Sequence, residues 1–243
     1  MQTNDHLSIE SFIDDIKKVL SLQDEKIIIK ESPYTYNAEL DWNKDSRCWE
    51  IHLKIPVEDK FPIIHEVGHI YLAKKTSCLQ FARPPHIGSP SITDLLPLIN
   101  NLLDDFVNYN ISQFKPLYPY YRLTMLKFLG NTFIINIKNF TDSILLITYY
   151  FLLFVDFNFI LRERDRNKYQ NKISRVLNTL EKLIIRLSEN TDLKGIKDEL
   201  IKFQQIRVTN DKKDIFNFFV IVLASIGIWE KSSITQQIEN LFL

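Results

Sequence analysis

Glycine is scarce in this chain, with five residues in 243, at positions 68, 88, 130, 195 and 227. No two lie closer than 20 positions, so neither a GxGxxG turn nor a P-loop can be written anywhere. The dinucleotide-binding and P-loop nucleotide classes are excluded. Cysteine is scarcer still. Cys48 and Cys78 are too few for a thiolate zinc site or a disulfide framework, and read as two small buried thiols. A basic excess is also missing, since 30 Lys plus Arg face 30 Asp plus Glu. Nucleic-acid binders draw much of their affinity from phosphate contacts, so the balance predicts no nucleic-acid partner. The opening MQTNDHLSIE has neither the basic run nor the apolar core of a secretory signal, which makes a cytoplasmic location the expectation. His6 falls in this polar, disordered-looking start and carries no signal.

What remains is a globular composition, 45% apolar and 25% charged, sufficient for one large domain or two small ones. The pattern predicts an α+β chain with a small sheet and its helices over 1–114 and a mostly α-helical bundle over 115–243. In the front part, Ile9–Leu22 has helical spacing and KIIIK at 26–30 is a short β-branched run. Cys48–Ile55 alternates, with Trp49, Ile51, Leu53 and Ile55 on one face and Glu50, His52 and Lys54 on the other. That is the pattern of a half-buried strand, read here as an edge strand with an exposed His52. Tyr34–Trp42 is its candidate neighbour across the turn residues NKDS at 43–46. A helix is predicted from an Asp59 cap through PIIHEVGHIYLAKK, followed by a Pro-rich loop from Ser77 to Ser91. Thr93 or Asp94 then caps a helix carrying LLPLINNLLDDFVNYNI.

The back part reads as helix throughout. Ile173, Val176, Leu177, Leu180, Leu183, Ile184 and Leu187 form one long apolar stripe. Segments 143–161 and 215–229 are apolar on every side. The first is interrupted by Asp156 and Asn158, and the second falls short of the roughly 20 residues that span a bilayer, so both are predicted as bundle core and no membrane contact is expected. RERDRNK at 162–168 reads as a solvated helix junction.

The chemistry is concentrated in His65-Glu66-Val67-Gly68-His69. Residues four apart on a helix lie one above the other, so both imidazoles can grip one metal ion. Glu66 sits about 100° around the helix from His65, beside the ligands, where it can take a proton from water. Random placement of five His and 13 Glu would produce this pattern in roughly 0.5% of such chains, which makes it a specific signal.

On these residues, over roughly positions 26 to 112, the chain resembles the zincin metallopeptidases, whose active-site helix bears HExxH beside a small sheet. The resemblance implies a Zn2+-dependent peptidase acting on a peptide or protein substrate, with His65 and His69 as ligands and a metal-bound water activated by the catalytic Glu66. The metzincin subclass asks for Gly at 72 and His at 75, where this chain has Leu72 and Lys75. No histidine lies beyond His86, so the third ligand is His86 or a carboxylate. The gluzincin subclass, of the thermolysin type, takes an acid from a second helix, followed four positions later by a residue that orients a ligand histidine. In Asn101–Asn108 the matching pair is Asp104 with Asn108, Asp and Asn standing where that subclass has Glu and Asp; Asp105 is the alternative ligand. Tyr109, Tyr118, Tyr120, Tyr121, Arg122 and His86 are candidate donors to an oxyanion, and the sequence does not choose among them. The competing expectations are a catalytically inactive zincin-fold binding protein and a membrane-associated metallopeptidase. Oligomeric state is not written in the sequence.

Overall fold

A computed structural model describes residues 4–33, 38–82, 95–138, 141–188 and 191–242 of an α+β chain. It divides into two compact units, Met1–Pro84 with Asn110–Tyr121, and Pro85–Tyr109 with Arg122–Leu243.

In the first unit, helix α1 (Asn4–Leu20) buries Ile9, Ile13, Ile16 and Leu20, one face at helical spacing. It starts at Asn4, so His6 lies in a helix and not in a disordered lead. Three strands follow: β1 (Ile27–Glu31), β2 (Glu39–Asn43) and β3 (Cys48–Leu53). Their order is β1-β3-β2, with β1 parallel to β3 (Ile27 opposite Trp49) and β2 antiparallel to it (Trp42 opposite Trp49). The hairpin between β2 and β3 turns on Asn43, whose Oδ1 accepts from the backbone N–H of Asp45 and Ser46, both at 3.0 Å. Positions 34–37, within the expected partner strand, lie outside the described residues.

β3 is therefore the central strand, not the expected edge. The alternation pointed to one wet face, yet Glu50 is also buried. Its carboxylate accepts from Asn43 Nδ2 at 2.8 Å and stands 3.5 Å from His52 Nε2 and 3.9 Å from Lys30 Nζ. These partners replace the water that a buried charge would otherwise lack. Cys48 and Cys78 are both buried thiols outside any disulfide, as the sequence suggested.

Helix α2 (Phe61–Thr76) packs against α1. It is tied to the sheet through Glu25, which accepts from Trp49 Nε1 of β3 at 2.9 Å and pairs with Lys74 Nζ at 2.9 Å.

The second unit is helical. Its part of α3 (Leu95–Ser112) runs to Tyr109, and α3 is continuous across the unit boundary. The rest comprises α4 (Tyr118–Phe128) from Arg122 onward, α5 (Asn131–Lys138), α6 (Ser143–Val155), a π-turn (Asp156–Ile160), α7 (Glu163–Leu187), α8 (Leu193–Ile201), α9 (Phe203–Ile206), α10 (Lys212–Ser225) and α11 (Lys231–Phe242). The predicted stripe of α7 is buried from Ile173 to Ile184. Tyr150 of α6 donates to Glu181 of α7 at 3.1 Å, and Lys197 of α8 reaches the same oxygen at 2.8 Å, locking three helices together. Phe106, Phe203, Phe218 and Phe219 form an aromatic cluster with centroids 4.9–6.4 Å apart.

The charged run at 162–168 lies where the π-turn gives way to α7 and is mostly exposed, as a solvated junction would be. Asp165 alone in it is buried, and Arg122 Nε donates to it at 2.7 Å. The stretch Ser143–Ile160 is long and apolar enough to cross a membrane by length and composition, with 56% of it buried inside the protein. The second apolar segment ends as a helix at Ser225, and Gly227 at φ 77° turns the chain before Trp229.

Glu25 yields a pH-dependent prediction. Burial pushes its carboxyl up, but the hydrogen bonds from Lys74 and Trp49 and the charges of Lys74 and Lys17 outweigh burial and hold it below its ordinary value. A depressed folded-state value stabilises the protein above the unfolded value and is lost as pH falls through the folded one. Glu25→Gln should cost about 1 kcal/mol in urea unfolding at neutral pH. The difference from the parent should shrink on acidification below about pH 4.5.

Candidate metal centre

Helix α2 opens with Lys60 as its N-cap, not the expected Asp59, which lies two residues ahead of Phe61 and accepts its N–H on Oδ1 at 2.9 Å. Pro62 sits in the first turn, where its missing N–H costs nothing. It closes on Ser77 at φ 54°, with Cys78 N–H donating to Ala73 O at 2.9 Å and Ser77 N–H to Lys74 O at 3.2 Å. This is a Schellman end with serine where glycine is usual. Nine of its residues are buried, among them Ile63, Ile64, Val67, Ile70 and Leu72, so the helix is sunk in protein on most sides. Against that apolar cylinder His65, Glu66 and His69 stand half-buried.

The expected loop after α2 begins with a short 3₁₀ turn, Leu79–Ala82, directly beyond the helix end. Its Phe81 carbonyl oxygen lies 2.9 Å from His69 Nδ1. A carbonyl only accepts, so Nδ1 carries the proton and a neutral His69 keeps its lone pair on Nε2. That Nε2 is 3.2 Å from Nε2 of His65, with the two rings at 85° to one another. Zinc–nitrogen bonds of about 2.0–2.1 Å at a tetrahedral angle separate two ligand nitrogens by about 3.3–3.4 Å. The imidazole pair thus fits a zinc ion. Metal-free, the same spacing is a hydrogen bond in which His65 donates.

Asp104, Asp105 and Asn108 all lie on α3 within the second unit. Asp105 and Asn108 are buried, as are Leu102, Leu103, Phe106 and Val107 of the same helix, while Asp104 is half-buried. Asn108 Nδ2 donates to both carboxylate oxygens of Asp156 in the π-turn, at 3.4 Å each. Burial, then the charges of Asp156 and Asp104, push the Asp105 carboxyl well above its ordinary value.

His86 lies outside the described residues, as do Thr93 and Asp94. Of the other oxyanion candidates, Arg122 is engaged by Asp165, and Tyr121 is buried against Phe61 and Tyr118 at 6.0 Å from each. Tyr120 packs on Phe12 at 5.7 Å, and Tyr109 packs on Phe203 with the Arg207 guanidinium over its ring. Sequence reasoning missed the Phe81 carbonyl, for which a backbone oxygen leaves no signal. It also missed Asp156 as a neighbour of α3, although an acid inside an apolar run was the signal.

No family model, curated protein or solved structure matches this chain. The site has to be judged on its own residues.

The helix end that delivers the Phe81 carbonyl can be tested by itself. Ser77→Gly removes the strain of a side chain at positive φ and should add about 0.5–1 kcal/mol in denaturant unfolding. Ser77→Val, β-branched at the same φ, should lower stability by at least as much.

Proposed function

We propose that the chain is a zinc-dependent peptidase in which His65, His69 and Asp104 hold the metal and Glu66 is the general base. One observation carries this reading: two imidazole nitrogens face each other at 3.2 Å on one buried helix, the second fixed in its tautomer by a carbonyl. Asp104 supports it chemically. A carboxylate oxygen added to two histidine nitrogens would complete the mixed nitrogen and oxygen set that catalytic zinc takes. Burial favours it over Asp105, whose carboxylate is fully enclosed.

Bound zinc would polarise a substrate carbonyl and make water acidic enough to attack near neutral pH. The chain's own groups do the rest. His69 is held in register by Phe81, so its Nε2 lone pair needs no rearrangement to bind. Glu66, one residue from His65 and half-buried, accepts the proton of the attacking water on a carboxylate oxygen and returns it to the leaving amine. The resemblance to zincins directs this chemistry at peptide bonds.

Purified full-length protein should carry about one zinc per chain, and His69→Ala should abolish it. Asp104→Ala should weaken zinc binding at least tenfold. Glu66→Gln should keep the zinc while peptide-library hydrolysis falls by about 10²–10⁴-fold. Full zinc occupancy in a His65→Ala, His69→Ala double variant, or undiminished turnover in Glu66→Gln, would refute the reading.

A further inference from the structure

We propose that the helical unit holds a second metal, an oxygen-preferring divalent cation of the Mg2+, Mn2+ or Ca2+ class, between Asp105 of α3 and Asp156 of the π-turn. Both carboxylates are fully buried within this one unit. Neither oxygen of Asp105 has a hydrogen-bond partner among the described residues. An enclosed carboxylate without a donor is rare in native proteins, because losing water without compensation is expensive.

The arginines brought to this region do not compensate it. Arg207 Nη1 donates to the carbonyl of Phe159 at 2.6 Å, and Arg166 Nη1 donates to the carbonyl of Asn158. Both of these bonds go to backbone oxygens of the π-turn, and no bond from either arginine to Asp105 is present among the described residues. Arg122 is taken by Asp165, and Lys197 by Glu181. Asn108 supplies its amide to Asp156, touching both carboxylate oxygens equally. A donor shared across both oxygens suits an ionised carboxylate, not one carrying a proton on one side. Asn108 thus holds Asp156 by both oxygens, and Asp156 lies near enough to Asp105 for its charge to act on that carboxyl.

The donor set decides the class of cation. Two carboxylates present up to four oxygens and no imidazole or thiolate, which selects hard cations over zinc or copper. The backbone gives a further sign: π-turns are rare, occur mostly as single turns, and are frequent at functional sites. Here the turn begins at Asp156 itself. The second site rests on the peptidase reading only in leaving Asp105 out of the zinc ligand set.

The test is titration of the full-length, zinc-supplied protein with Mn2+, following the electron paramagnetic resonance signal of the free ion. One Mn2+ per chain should be taken up with zinc content unchanged. Asp105→Asn and Asp156→Asn should each weaken Mn2+ uptake at least tenfold and leave zinc content intact. The His65→Ala, His69→Ala double variant, which removes the proposed zinc site, should still take up Mn2+. Loss of uptake in that variant would place the ion at the histidines and overturn the proposal. So would Mn2+ that stays free with the parent protein, or both Asp variants binding as the parent does. Should the Asp variants not fold, the parent's melting temperature decides: it should rise with Mn2+ concentration, and a flat profile refutes the site.

Discussion

The hydrogen bond between His69 Nδ1 and the Phe81 carbonyl fixes which nitrogen of His69 carries the proton, and the end of α2 with the turn after it holds that bond. The carbonyl arrives there because α2 stops abruptly at Ser77 in a left-handed conformation and the chain folds straight into a 3₁₀ turn. A helix that frayed or ran one residue further would present a different oxygen, or none. The burial of α2 on most sides fixes the rotation of the helix, and with it the direction in which His65 and His69 point. Glu25 adds a tether, joining the far end of α2 to the central strand by two hydrogen bonds. Packing thus supplies the orientation that a metal site needs before any metal arrives.

How far the sequence disclosed this depends on how local each feature is. The HExxH spacing and the helix bearing it are set within five residues, so both were legible. The α7 stripe was equally plain, since period 3.6 over four turns admits one solution. The sheet was only half legible. Alternation in Cys48–Ile55 revealed a strand, but strand order is a long-range fact, and β1 enters the sheet parallel to β3 from more than 20 positions earlier. Glu50 then became buried because Asn43, Lys30 and His52 gather around it, which no window of neighbouring residues reports.

The same limit explains why the burial of Asp165 within 162–168 was not legible. Seven charged and polar residues in a row resemble a solvated junction, and the solvated residues among them obey that rule. Asp165 departs from it because Arg122, 43 positions away, meets it at 2.7 Å. Composition records that charge is present. It does not record whether a partner will come.

Two adjacent aspartates on α3 show how little separates a candidate metal ligand from a buried liability. Asp104 and Asp105 differ by about 100° around the helix. One is half-buried, while the other is enclosed, with neither oxygen hydrogen-bonded among the described residues. A fold selected for stability alone would replace Asp105 with an apolar residue, since a buried carboxyl without hydrogen-bond partners costs stability. Asn108, which spends its amide on Asp156, would then be dispensable as well. Keeping all three costs stability that the aromatic cluster of Phe106, Phe203, Phe218 and Phe219 must offset. A cost of that kind is characteristic of a site that does something when filled, because binding a cation returns the free energy that the empty carboxylates withhold.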